Sequence, residues 1–124
     1  MTMPRQSETT LESLTTRLIA FRDDRDWRQF HSLKDLIISL NLETSELLEL
    51  TQWISDEAVE AGVQDADWRA KAADECADVL LYLLLIAERA GIDLLSAADR
   101  KIDKNELKYP VEKARGTARK YTEL

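Results

Sequence analysis

The stretch Leu33-Lys-Asp-Leu-Ile-Ile-Ser-Leu-Asn-Leu-Glu-Thr-Ser-Glu-Leu-Leu-Glu-Leu50, continuing as Thr-Gln-Trp-Ile to residue 54, decides the fold. At about 100° per residue, Leu33, Leu36, Leu40, Leu47, Leu50 and Ile54 fall on one side of a helix, the stripe a helix buries. Glu43 lies at the centre of that stripe and Glu46, one turn on, flanks it. A second long stretch repeats the arrangement: Trp68, Ala72, Val79, Tyr82, Leu83, Ile86 and Ala90 form its stripe, with Glu75 near the centre and Asp78 at its side. An isolated ionised carboxylate in such a place is costly. Four converging acids therefore imply raised proton affinities or a bound cation.

Around these two helices the composition is that of one all-α domain spanning residues 1–124. With only 3 Gly and 2 Pro, the chain has few of the turn clusters that bound strands. A hydrophobic share of 44% excludes general disorder. The single cysteine, Cys76, excludes an internal disulfide and a cysteine-based zinc site, and reads as a small core side chain. No signal peptide or membrane-spanning apolar run is visible, so a soluble cytoplasmic protein is expected. The run Leu80 to Ile86 is apolar all round and reads as a buried helix segment.

The net charge of −7 argues against binding nucleic-acid polymers, but it is unevenly spread. Residues 1–99 hold 9 Lys+Arg against 20 Asp+Glu, a balance of −11, whereas residues 100–124 hold 8 against 4, a balance of +4. An acidic body ends in a basic segment.

Taken in order, residues 1–6 read as a disordered start, and Thr9-x-x-Glu12 as a capping box opening a first helix that runs to about Asp24. Asp26-Trp-Arg-Gln-Phe-His31 is a short aromatic link. Ser32 caps the helix over 33–54, and an acidic, mobile loop over 55–65 leads to a third helix over 67–90 that stops at Gly91. Asp93 caps a fourth helix from about Leu94 to Leu107, ended by Tyr109-Pro110. The basic tail 109–124 shows no periodicity beyond a helical turn. The expected architecture is four-helix bundle-like.

Four carboxylates without a neighbouring His or Cys form an all-oxygen ligand set, which selects hard cations such as Mg²⁺, with Mn²⁺ a possible substitute, over zinc. A di-iron bundle pairs its carboxylates with Glu-x-x-His motifs, and the only histidine, His31, lies outside both helices. Magnesium held by carboxylates keeps positions open for phosphates, so a nucleotide polyphosphate is the natural partner. Gly62, Gly91 and Gly116 stand alone, so no glycine-rich phosphate loop exists. Lys101, Lys104, Asn105 and Lys108 recur at helical spacing and could grip phosphates instead.

Glu43-x-x-Glu46, 28 intervening residues and Glu75-x-x-Asp78 together resemble the signature of the MazG-like all-α nucleoside triphosphate pyrophosphohydrolases. The resemblance is closer to the dCTP pyrophosphatase branch, through Phe21-Arg22-Asp23, Arg25-Asp26-Trp27, Gln29-Phe30-His31, Gln52-Trp53, Asp78-Val79-Leu80, Tyr82-Leu83, Tyr109-Pro110 and the terminal Arg119-Lys-Tyr-Thr-Glu-Leu124. It implies Mg²⁺-dependent hydrolysis of a (deoxy)nucleoside triphosphate, dCTP or a related dNTP, to the monophosphate and pyrophosphate, which would clean the nucleotide pool. It further implies Glu43, Glu46, Glu75 and Asp78 as metal ligands, one of them also orienting or deprotonating the attacking water. Tyr82, Lys101 and Asn105 would contact phosphates, with Trp27 and Trp53 around the base. His31, by position a helix-entry residue, joins them as a candidate contact.

The resemblance also implies a site built between chains of a dimer, and pairing of dimers into tetramers. One departure stands out: Leu18 occupies the first-helix position where a base-contacting His is expected in dCTP-selective relatives. On the residues alone, Trp27 and Trp53 read as core or interface rings and the lysines as a solvated face. The competing function is then a non-catalytic helical interaction module whose acids bind a structural cation or a basic partner.

Overall fold

A computed structural model describes residues 9–124, and among these no strand occurs. The expected disordered start at residues 1–6 lies outside the described residues. The chain forms α1 (Leu11–Asp24), a 3₁₀ turn (Arg28–Phe30), α2 (Leu33–Glu49), α3 (Asp56–Gly62), α4 (Ala66–Ala90), α5 (Leu94–Lys108), α6 (Val111–Ala114) and a terminal 3₁₀ turn (Tyr121–Glu123). The fold is all-α, and α3 and α6 are additions to the four expected helices. No helix among the described residues is long and apolar enough to cross a membrane.

The helices divide into two compact units, one ending at Gly91 and the other spanning Ile92–Leu124. In the first, α4 packs against both α2 and α1. This explains the all-round apolar run on α4. Leu84, Leu85 and Ala87 are buried together with Leu36 of α2, which is 2% exposed. Leu40, Leu47 and Leu50 are half-buried, whereas Leu33 and Ile54, expected in the same stripe, are exposed. Arg22 near the end of α1 is also buried, at 5% exposure. Its guanidinium donates from Nε to Asp23 at 2.9 Å and from Nη1 to Glu88 on α4 at 3.1 Å.

Local chemistry sets the helix ends. The α1 capping box is built by Thr10 and Ser13, not by Thr9 and Glu12: the Ser13 amide donates to Thr10 Oγ1 at 3.0 Å, and the Thr10 amide donates to Ser13 Oγ at 2.8 Å. A serine hydroxyl at the third helical position closes the box as a glutamate would. Ser32 caps α2 as expected, accepting from the Asp35 amide. That helix ends at Glu49, five residues short of the expected 54. Thr51 and Gln52 donate their amides three residues back instead of four, the Thr51 hydroxyl takes the Leu48 carbonyl, and Trp53 turns the chain at φ +66°. Tightening of the last turn and a left-handed residue close the helix, neither of which periodicity carries.

The stretch 55–65, expected as a loop, contains α3. Ser55 accepts from the Ala58 amide, and Asp56 and Glu57 lie in the first turn, where the helix dipole favours negative charge. Asp65 caps α4, which closes at Gly91 in the left-handed region (φ +68°).

In the second unit, Asp93 caps α5 by accepting from the Ser96 amide and hydroxyl, bonds that hold its carboxyl below the ordinary value. The basic segment is more ordered than its sequence suggests. Tyr109 and Tyr121 meet edge to face at 6.1 Å, and Lys108 Nζ stands 4.9 Å above the Tyr121 ring.

Candidate functional site

Two helices bring four acids together. Glu43 and Glu46 lie one turn apart on α2, Glu75 and Asp78 one turn apart on α4, and the two helices pack against each other. One carboxylate oxygen from each of the four residues lies within 4.8 Å of the others. The apolar stripes create this convergence: the residues on either side of Glu43 and Glu75 drive the helices face to face, and the acids are carried into the seam.

The seam holds unspent hydrogen-bonding capacity. Glu43 Oε2 and Glu75 Oε2 are buried and have no hydrogen-bond partner. Burial pushes both carboxyls above their ordinary values, with Glu46 contributing next in each case and the charge of Asp78 adding to both. Asp74 adds to the rise at Glu75. Sequence periodicity does not point to Asp74, although its place beside Glu75 offered a signal.

The physical conflict is plain: four negative groups repel one another and two of them are partly desolvated, so they either retain protons or share a cation. An all-oxygen set with two unsatisfied, partly desolvated carboxylates fits a hard divalent ion. Glu49, the next acid in the step on α2, is exposed and outside this group.

Trp27, at the start of the 3₁₀ turn, places its ring edge-on to Phe21 at 5.7 Å, and the Arg25 guanidinium lies 3.8 Å over the Phe21 ring. Arg22 supports this corner, since its carbonyl accepts the Trp27 amide at 3.1 Å. Both arginines lie in motifs that carry the resemblance, but the burial of Arg22 and the stacking of Arg25 were not legible there, because a charged residue in a polar helix gives no sign of either.

His31 follows the 3₁₀ turn, and its Nδ1 is buried without a partner. Trp53 is 93% exposed. Tyr82 is half-buried on α4, one turn beyond Asp78. Lys101 and Asn105 stand four residues apart on α5, in the second unit. Cys76, expected in the core, is exposed: it follows Glu75 directly and so points about 100° away from the seam.

Comparison with known proteins gives a consistent picture. The MazG-like family model matches residues 38–124, which include all four acids. The chain is 43% identical over 120 residues to dCTP pyrophosphatase 1 of Bos taurus, covering 95% of this chain and 70% of the relative. It is also 43% identical over 119 residues to dCTP pyrophosphatase 1 of Homo sapiens, covering 94% and 69%. Among solved structures, a pyrophosphatase from Archaeoglobus fulgidus is similar with a TM-score of 0.75 at 39% identity, over 81% of this chain and 92% of that one.

Proposed function

Because this chain belongs to the MazG-like family, we propose that it is a nucleoside triphosphate pyrophosphohydrolase, converting a deoxynucleoside triphosphate to the monophosphate and pyrophosphate. The observation that carries the reading is the four-acid seam, with two carboxylate oxygens left unsatisfied in partial burial. Glu43, Glu46, Glu75 and Asp78 hold Mg²⁺, for which Mn²⁺ can substitute. When bound, the ion supplies charge neutralisation for the triphosphate and acidifies water. One of the four carboxylates orients the attacking water and takes its proton.

Tyr82, Lys101 and Asn105 contact the phosphates, the lysine offsetting charge on the leaving pyrophosphate. Trp27, Trp53 and His31 serve the nucleoside end: Trp53 offers an open indole face and His31 an unpaired ring nitrogen. The substrate is dCTP or a related dNTP, in line with the names of the relatives. Leu18, half-buried on α1, gives its position no hydrogen bond with which to read a base edge.

The whole chain works as one catalytic domain in a homodimer or a dimer of dimers. Ile37, Ile38, Leu42 and Leu48 on α2 are exposed, and in the second unit so are Leu95 and Ile102 on α5, apolar side chains that association between copies would cover. The net charge of −7 disfavours a polyanionic nucleic-acid partner. The reading places the enzyme in the cytoplasm, where it clears unwanted or excess nucleotides.

The test is to incubate the protein with each dNTP and Mg²⁺ and resolve the products. Release of dNMP and pyrophosphate, abolished by EDTA, is expected. Orthophosphate release, or no turnover with or without EDTA, would leave a non-catalytic helical module as the better description.

A further inference from the structure

The turn between α2 and α3 presents Trp53 at 93% exposure on a backbone at φ +66°. A bulky residue in the left-handed region is strained, and such strain persists only where the surroundings enforce it. The segment that carries it is fastened by the start of α4. The Trp68 indole Nε1–H donates to the carbonyl of Leu50 at 3.3 Å, meeting one of the acceptors left over where α2 stops.

The face of the same indole lies against Gly62, the last residue of α3: a Cβ there would meet Trp68 Cδ2 at 3.0 Å and Cγ and Cε2 at 3.3 Å. Arg69, the next residue, donates from Nη1 to the Val63 carbonyl at 2.9 Å. Both ends of the segment 50–63 are therefore fastened to the first turn of α4, with Trp53 standing out from it.

Trp68 precedes Glu75 by seven residues, two turns along the same face and about 10 Å along the axis. A single helix thus fixes both the acids and the anchor of the exposed indole. We infer that Trp68 is a positioning residue for the nucleoside end of the substrate, acting through Trp53. The inference rests on the reading of Trp53 as a base platform given above. Trp68 touches neither substrate nor metal; its indole N–H and its packing on Gly62 set where the platform stands.

A double-mutant cycle tests this, using Trp68→Phe, which keeps an aromatic ring and deletes the N–H, Trp53→Ala, and the pair. Steady-state kinetics with each dNTP and Mg²⁺ are read alongside far-UV circular dichroism as a check of folding. Trp68→Phe is expected to raise KM about fivefold, the equivalent of one neutral hydrogen bond of about 1 kcal/mol, with kcat within about twofold of wild type. In the Trp53→Ala background the same change should leave KM unaltered. Gly62→Ala, which forces a Cβ against the ring, should raise KM in the same direction.

The inference is overturned if Trp68→Phe leaves KM unchanged, if it acts equally with and without Trp53, or if it lowers kcat alone. An unchanged KM in Trp53→Ala removes the platform, and this inference with it, while the reaction stands. Absence of pyrophosphate release from the wild-type protein removes the proposed function itself.

Discussion

Truncation of Glu88 probes the one buried charged side chain among the described residues. Arg22 is 5% exposed and holds two partners, Asp23 at 2.9 Å and Glu88 at 3.1 Å, which together hold its guanidinium more firmly protonated than usual. Removing one partner from a fully buried pair costs about 3–5 kcal/mol. Here the side chains of Glu88 and Asp23 retain 30% and 52% of their exposure, and Asp23 still pairs when Glu88 is gone. The expected loss for Glu88→Ala is therefore that of a single charge-assisted hydrogen bond, about 2 kcal/mol.

For a domain of this size that loss lowers Tm by about 6–10 °C. Arg22→Met deletes both ion pairs yet should cost less. It removes the buried charge, keeps an apolar stem of similar length, and leaves two carboxylates that water already reaches. Thermal unfolding by circular dichroism at pH 7, with the protomer concentration fixed because association shifts apparent stability, decides the matter. A greater loss in Arg22→Met than in Glu88→Ala, or a Tm for Glu88→Ala within about 1 °C of wild type, would refute the reasoning.

The acid seam predicts an unusual pH dependence. Glu43 and Glu75 have folded-state values above the ordinary 4.5, so both destabilise the metal-free fold at neutral pH; this penalty fades as pH falls through the raised values and is gone below 4.5. Glu43→Gln should accordingly raise Tm in EDTA at pH 7, with the gain shrinking toward pH 4.5; equal Tm values at pH 7 would contradict it. Glu46→Gln should cut turnover by at least about a hundredfold while far-UV circular dichroism stays native; wild-type activity in this variant would remove the ligand assignment. Leu36→Ala empties a core position that is 2% exposed and should cost about 2–5 kcal/mol in urea unfolding. A loss near zero would mean that α2 is not held through this residue.

The all-helical character, the long helices and the four acids were all legible in the chain. They follow from a 3.6-residue period that places Glu43 and Glu75 at the centres of apolar stripes, a local regularity needing no tertiary information. Caps with strong local chemistry were equally legible: Ser32 and Asp93 accept the expected amides, and Gly91 takes the left-handed conformation. Less regular boundaries were not. The end of α2 is marked by amides that bond three residues back and by Trp53 at φ +66°, and α3 depends on a serine cap in a stretch whose acidic composition suggested a loop.

Only the tertiary structure decided how the acids share their space. Periodicity puts Glu43 and Glu75 on buried stripes, but the distance between their oxygens and the loss of solvation arise from the packing of α2 on α4. The same holds for Arg22, whose buried guanidinium pairs with Glu88, 66 residues away, and for Trp68, which bonds Leu50 across 18 residues. A sequence can state which residues a helix turns to one side. Which charge loses its water, and which ring fastens a turn, depends on what the other helices bring there.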